Sequence, residues 1–276
     1  MPKIYVLIFV VVFTLTAGNA SGFARGLGAR PAGMSGAVTA VYGFWSLNNN
    51  QAGITLIEHP SLAVYTENRY MIAGTSTITA ASVIPAWEGA IGISLNYHGN
   101  SLYNENLAGL AYARRFGERL SAGVRLNYIH IRIGQPGYVK GRVVAEAGII
   151  YEVFPGFFTG VHIFNPARAI LARQHVPMTD QRISTVFRKG VSYVFSRQLI
   201  VSLDAEKDIE HPLSLRFGLE YRMSDEFTAR AGLSSNPVQN SIGAGYSMGN
   251  WQFDIAASYH HILGHSPQAG IIYSVK

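Results

Sequence analysis

Three histidines near the C-terminus come closest to a metal-binding pattern. His260, His261 and His265 lie in one short stretch, and imidazole nitrogens are common ligands of zinc. If His260 and His261 belong to a strand, however, their side chains point to opposite sides of it. The spacing therefore favours ordinary histidines beside a loop, and we predict no metal and no cofactor.

The short motifs that mark common enzyme classes are absent or lack the structural context that they require. GYSMG at residues 245–249 fits GxSxG but lies in a predicted strand hairpin, not between a strand and a helix, and the chain has no HExxH, no P-loop and no dinucleotide fingerprint between a strand and a helix. It has no cysteine, which excludes disulfides, thiolate metal sites and a cysteine nucleophile. The net charge of +6 is modest and the basic residues are scattered, so nucleic-acid binding is not indicated. We predict that the chain is not an enzyme.

The polar residues alternate with apolar ones, most clearly in residues 241–259. After a turn at residues 248–250, one side of the chain carries Trp251, Phe253, Ile255, Ala257 and Tyr259. Period two is the period of a strand, so this stretch predicts a hairpin with one apolar face. In a soluble sandwich that face is the core, and in a transmembrane barrel it meets lipid.

The N-terminus and the composition favour the membrane. Residues 4–17 form an uncharged apolar run after Lys3, and small residues follow at Gly18 and Ala20. This predicts a secretory signal peptide over residues 1–20. The alternative is a retained anchor, but the run is short of the roughly 20 residues that a spanning helix needs. Charged residues make up only 14% of the chain, whereas soluble proteins average about a quarter.

Fourteen alternating segments follow one another from residue 61 to the C-terminus. Most approach the roughly 9–11 residues that cross a bilayer at a tilt, and short turns alternate with longer polar links, as in outer-membrane barrels. The sequence therefore predicts an all-β fold over residues 58–276, an antiparallel up-and-down transmembrane barrel of about 14 strands. We expect it in the bacterial outer membrane with both termini in the periplasm. The predicted segments are 61–67, 71–84, 87–98, 105–116, 118–131, 141–153, 157–164, 183–195, 198–207, 212–222, 226–234, 240–248, 250–261 and 266–275.

The strand phase places charged residues of both signs in the lumen. An ion-selective pore would favour rings of one sign, so mixed signs indicate a paired network that holds a plug or closes the lumen. A solvated polar interior without a specific role is the alternative. The predicted lumen-facing residues are Glu88, Arg125, Glu146, Glu152, Arg188, Asp204, Glu206, Arg216, Glu220, Arg230 and Asp254.

Two stretches before the strands carry a resemblance to a known family. They are GARPAGMSGA at residues 28–37 and NQAG at residues 50–53. Together they look like the N-terminal segment of the FadL-like outer-membrane barrels, and they are most similar to the PorV/PorQ branch, which serves type IX secretion. That branch usually has proline where this chain has Gln51. The resemblance implies a fourteen-stranded barrel whose N-terminal segment folds inside as a plug.

Residues 21–57 are the candidate plug. They show no strand period, yet they carry large aromatic side chains for which a disordered periplasmic tail has little use. The run NNNQ at residues 48–51 supplies amide donors and acceptors for a charged wall. The predicted plug residues are Tyr42, Phe44, Trp45, Asn48, Asn49, Asn50, Gln51, Ala52 and Gly53.

Two classes of function remain open at this point. The chain is either a plugged conduit for small hydrophobic molecules, as the superfamily implies, or a non-transporting accessory or scaffold subunit of a secretion or envelope complex, as the PorV/PorQ likeness implies. Outer-membrane proteases and lipases form a third, weaker class. The expected partners are outer-membrane lipid and either a small hydrophobic ligand or a secretion-complex protein.

Overall fold

A closed ring of strands dominates the computed structural model, which describes residues 26–134, 138–170 and 183–275. Fourteen antiparallel strands pair in sequence order, and β1 pairs with β14 to close the ring. The predicted barrel and its strand number are therefore confirmed. The predicted signal peptide, residues 1–20, lies outside the described residues.

The strands range from eight residues in β1 and β7 to seventeen in β6. Their bounds are β1 Ser61–Asn68, β2 Ser76–Ala86, β3 Gly89–Gly99, β4 Tyr103–Phe116, β5 Leu120–Ile133, β6 Tyr138–Phe154, β7 Phe157–Phe164, β8 Val186–Ser196, β9 Leu199–Asp208, β10 Ser214–Arg222, β11 Phe227–Ser235, β12 Val238–Met248, β13 Trp251–His260 and β14 Gly264–Ser274.

Short links connect the strands at one end of the barrel, which we call the short-turn end, and most links at the long-loop end are longer. The link between β11 and β12 differs from the expectation of a longer loop. It consists of residues 236–237 alone, because the two strands extend further toward it than the sequence pattern indicated. Ser61 and Ser274, which begin β1 and end β14, both lie at the short-turn end.

Short helices precede the barrel wall. The α-helix α1 spans Ala29–Gly33, and 3-10 helices span Phe44–Asn48 and Gln51–Leu56. The Asn50 side chain caps the second 3-10 helix by accepting a hydrogen bond from the Ala52 amide at 3.3 Å. A further 3-10 turn, Arg69–Met71, links β1 to β2. Within the described ranges, every helix is too short or too polar to cross a membrane.

Candidate functional site

The barrel lumen contains residues 29–56, which we call the inner segment. Its Ser35 hydroxyl lies 2.7 Å from the Ser241 hydroxyl of β12, and its Thr55 hydroxyl lies 2.9 Å from the Ser121 hydroxyl of β5. These strands lie on well-separated parts of the closed ring. A mostly buried segment that bonds to both of them lies inside the ring.

A salt-bridge network ties the start of the inner segment to the wall. The Arg30 guanidinium donates two hydrogen bonds to the Glu220 carboxylate, at 2.8 and 2.9 Å. Glu220 also accepts from Arg230 at 2.6 Å, and Arg230 donates to Asp254 at 2.6 Å. Two guanidinium groups therefore alternate with two carboxylates, which balances the charges and offsets part of their desolvation.

A carboxylate of β9 holds the middle of the inner segment. One oxygen of Asp204 accepts from the Thr39 backbone amide at 2.8 Å and from the Thr39 hydroxyl at 2.7 Å. Beside it, Glu206 accepts from Arg188 at 2.5 Å and also from Arg216. Asp204 thus fixes the backbone of the segment, whereas Glu206 forms ion pairs with two arginines of the wall.

Amide side chains join the end of the inner segment to β5 and β6. Gln51 donates to the Glu146 carboxylate at 2.6 Å, and Arg125 donates to the Asn48 side-chain oxygen at 2.8 Å. Glu146 lies 3.0 Å from the His162 ring nitrogen of β7 as well. This third contact point joins neutral amides to wall charges, in contrast to the ion pair at Arg30.

Wall glycines let the backbone of the inner segment lie directly on the barrel. A Cβ added to Gly160 would lie 2.3 Å from the Thr39 carbonyl oxygen, and one added to Gly232 would lie 2.3 Å from the Met34 carbonyl carbon. Such distances are closer than atoms approach, so any side chain at these positions would displace the segment. Gly123, Gly218 and Gly243 also face backbone atoms of the segment, and Gly92 and Gly148 face the side chains of Leu47 and Asn50.

All nine predicted plug residues lie in the inner segment, and eight of them are buried. The exception is Tyr42, which is half-buried with its hydroxyl 3.3 Å from that of Ser121. Trp45 packs edge-on against Tyr65 of β1, with the ring centres 5.6 Å apart. Whether these residues close the lumen to passage remains a prediction.

The structure places most of the predicted lumen-facing charges in the contacts just described, but Glu88 is a wrong prediction. β2 ends at Ala86, and Glu88 lies exposed in the following turn, where its carboxylate contacts Arg114. The alternating pattern runs on through this turn, so the predicted segment 87–98 begins two residues before β3 does at Gly89. Glu152 lies near the short-turn end, where it accepts from the Gly156 amide at 3.0 Å.

Two residues that hold the segment, Arg30 and Thr39, were not among the predicted site residues. A signal for Arg30 existed, because it is the only charged residue between positions 26 and 57. The wall glycines left a weaker signal, since they recur in phase with the lumen-facing charges. The sequence contains no comparable signal for Thr39, because its role depends on its distance from Asp204.

The histidines near the C-terminus behave differently from the strand-based expectation. The rings of His260 and His261 stack with their centres 5.0 Å apart. β13 ends at His260, so His261 belongs to the turn and is free of the strand alternation. The His265 ring packs on Tyr259. In the part of the chain that the structure describes, no three histidine or acidic side chains come together to hold a metal ion.

A cavity of about 50 Å³ remains between the inner segment and the wall of β2–β8. Asn48, Arg125, Glu146 and His162 line it with polar groups, and Phe164 contributes an apolar surface. A protein cavity that accommodates benzene measures about 150 Å³. In this conformation the cavity is therefore too small for an aromatic molecule.

Comparison with known proteins gives matches at the level of structure. No family profile matches the sequence, and no curated protein matches it. The barrel is similar to the CymD monoaromatic hydrocarbon channel, with a TM-score of 0.70 and 15% identity over 93% of this chain and 99% of that one. It is also similar to the Pseudomonas putida toluene transporter TodX, with a TM-score of 0.68 and 10% identity over 91% and 98%.

A FadL homologue of Pseudomonas aeruginosa matches with a TM-score of 0.61 and 12% identity over 89% of this chain and 96% of that one. At such identities the likeness establishes a shared fold. The fold of this chain is thus that of the FadL-type outer-membrane channels.

Proposed function

We propose that the protein is an outer-membrane conduit for small hydrophobic molecules, closed at rest by the inner segment. The observation that carries this proposal is the way in which the segment is held. Its fixed points are hydrogen bonds and one ion pair to lumen-facing side chains, and its backbone rests on glycines. Such contacts can be exchanged without unfolding the barrel, so the segment is suited to moving within an intact wall.

The cargo class is supported by an apolar cluster inside the barrel toward the long-loop end. Ile129, Ile131, Val144, Phe164 and Val186 are all buried there on inward-facing positions. The interior of a barrel that conducts water and ions is polar, whereas this part of the lumen contains packed apolar side chains, an environment that suits a hydrophobic molecule better than an ion. The channels with the same fold are described as carrying monoaromatic hydrocarbons or toluene.

Reversible crosslinks test whether the inner segment must move. The chain has no native cysteine, so Ser35→Cys with Ser241→Cys, and Thr55→Cys with Ser121→Cys, introduce single disulfides between the segment and the wall. Each pair replaces hydroxyls that lie 2.7 or 2.9 Å apart, so a small shift would bring the two sulfur atoms to the roughly 2.05 Å of a disulfide bond. We expect cells that express the oxidised variants to take up radiolabelled toluene no faster than cells without the barrel, and reductant to restore uptake.

The matched control is Ser61→Cys with Ser274→Cys, whose hydroxyls lie 2.9 Å apart on β1 and β14. This disulfide joins two wall strands and leaves the inner segment free, so uptake should stay at the level of the intact protein. Equal uptake by all oxidised variants would contradict movement of the segment. No uptake by the intact protein would contradict the conduit itself.

A non-transporting role in a secretion or envelope complex is the second candidate, in keeping with the PorV/PorQ resemblance. It is favoured by the small cavity and by the three polar contact points that hold the segment. Affinity purification from native outer membranes followed by mass spectrometry tests it. Secretion components in stoichiometric amounts, together with absent toluene uptake, would select this role over the conduit.

A further inference from the structure

Charged residues are rare on the lipid-facing side of the barrel, and those present share one sign. By strand phase, the outward positions of the described strands carry four charged side chains, Arg114, Arg132, Lys189 and Lys207, and all are basic. Arg114 lies near the short-turn end and contacts Glu88, and Arg132 is the last residue but one of β5. Lys189 and Lys207 remain as a pair on neighbouring strands.

The register of β8 and β9 brings the two lysines together. Phe187 pairs with Lys207, and Lys189 pairs with Ala205, so the lysines are diagonal neighbours. Side chains in this relation start about 7–8 Å apart. Both are exposed, and both lie in the half of their strand next to the long-loop end.

The outward-facing strand neighbours of the pair are apolar and carry no opposite charge. Exposed Phe187 and Leu203 are their outward neighbours on the same two strands. Among the described residues neither ammonium contacts a carboxylate, although Lys207 donates to the His211 carbonyl. The outward positions of β7–β10 contain no acidic residue.

Two neighbouring ammonium groups on the lipid-facing side would be stabilised by an anionic group of the membrane. A lysine on the lipid face costs about 2–4 kcal/mol at the midplane and about 0–1 kcal/mol near the interface. A long side chain reaches toward that interface, yet two like charges still repel each other. An anion placed between them would remove the repulsion and accept charge-assisted hydrogen bonds.

We infer that Lys189 and Lys207 bind a phosphate group of a glycolipid in the outer leaflet of the outer membrane. This rests on the outer-membrane placement in the proposed function, with the long-loop end outside. The two lysines lie in the half of their strands next to the long-loop end, so their long side chains would reach toward the headgroups of that leaflet. The site would attach a lipid to β8 and β9, the strands that carry Asp204 and Arg188 on their inner side.

Binding of fluorescent lipid A to the purified barrel in phosphatidylcholine vesicles tests the inference. Each basic side chain near an anionic lipid surface contributes about 1 kcal/mol, so Lys189→Gln with Lys207→Gln should raise the Kd about 30-fold. Lys189→Arg with Lys207→Arg should bind like the intact protein. Arg222→Gln, which removes an exposed charge at the short-turn end, is the matched control and should leave the Kd unchanged.

Three results would overturn the inference. They are an unchanged Kd in the double glutamine variant, equal binding of dephosphorylated lipid A, and an equal loss of binding in the Arg222→Gln control. Heat-modifiability on a gel shows whether each variant is folded, and Lys189→Met with Lys207→Met replaces any glutamine variant that is not. Toluene uptake is measured separately, so failure of the conduit is distinguishable from failure of the lipid site.

Discussion

Asp254 and Ile255 are neighbours in β13, and they meet opposite environments. Ile255 is 62% exposed on the lipid-facing side, whereas Asp254 is 1% exposed and accepts a hydrogen bond from Arg230. The outer position needs only an apolar side chain, since lipid makes no directional demand. The inner position needs a particular partner, because an unpaired buried charge is costly. The residue types on the outer face are therefore determined by the lipid. Those on the lumen face are determined by the inner segment and by the salt-bridge network around it.

The largest effect is expected from Glu220→Gln on the lumen side. It leaves Arg30 and Arg230 without the carboxylate that they share, and removing one partner of a buried ion pair costs about 3–5 kcal/mol. The start of the inner segment should then be released, with a rise of conductance in planar bilayers. Glu226→Gln in the exposed short turn is the control, and conductance equal in the two variants would contradict the network's role.

Ile255→Arg tests the other face of the same strand. The substitution should lower the free energy of unfolding by about 2–4 kcal/mol near the membrane midplane, measured by urea titration in lipid vesicles. Leu215→Arg, at the second residue of β10 and near the long-loop end, is also on the exposed apolar side but should cost only about 0–1 kcal/mol. An Ile255→Arg variant as stable as the intact barrel would show that Ile255 does not face lipid.

A side chain on a wall glycine should act on the inner segment more than on the wall. Gly160→Val places atoms where the Thr39 carbonyl lies, and such overpacking costs about 1–3 kcal/mol. We expect faster labelling of a Ser35→Cys variant by a water-soluble thiol reagent. Val161→Ala, at the next and outward-facing position of β7, is the control, and labelling at the same rate in both would count against contact between segment and glycine.

The smallest effect is expected from Gln51→Leu. Glu146 loses one donor but keeps its contacts with Asn127 and His162. The free energy of unfolding should therefore fall by about 1.5 kcal/mol, at the low end for a hydrogen bond to a charged group. Thermal unfolding followed by heat-modifiability measures it. A loss as large as that of Glu220→Gln would show that the amide contacts, and not the salt bridge, hold the segment.

The wall could be predicted from the sequence because lipid imposes a regular rule on alternate residues. Ile255 and Asp254 were assigned to opposite faces by period two alone, and both assignments agree with their exposure. The rule says nothing about where a strand stops, and Glu88 was misplaced for that reason. The contacts of Arg30 and Thr39 could not be predicted from the sequence, because they depend on which wall carboxylate lies within hydrogen-bond distance.

Excision of residues 44–52 tests the central claim most directly. The Gly43 amide donates to the Gly53 carbonyl at 3.1 Å, so the excised residues leave and return at nearly the same point and Gly43 can be joined to Gly53. The excision removes Trp45, Asn48 and Gln51 from the lumen and leaves Arg30 and Thr39 in place. The measurement is the single-channel conductance in planar bilayers of a variant that is still heat-modifiable on a gel. We predict a new conductance that the intact protein lacks, and a folded variant that conducts no more than the intact protein would contradict closure of the lumen by the inner segment.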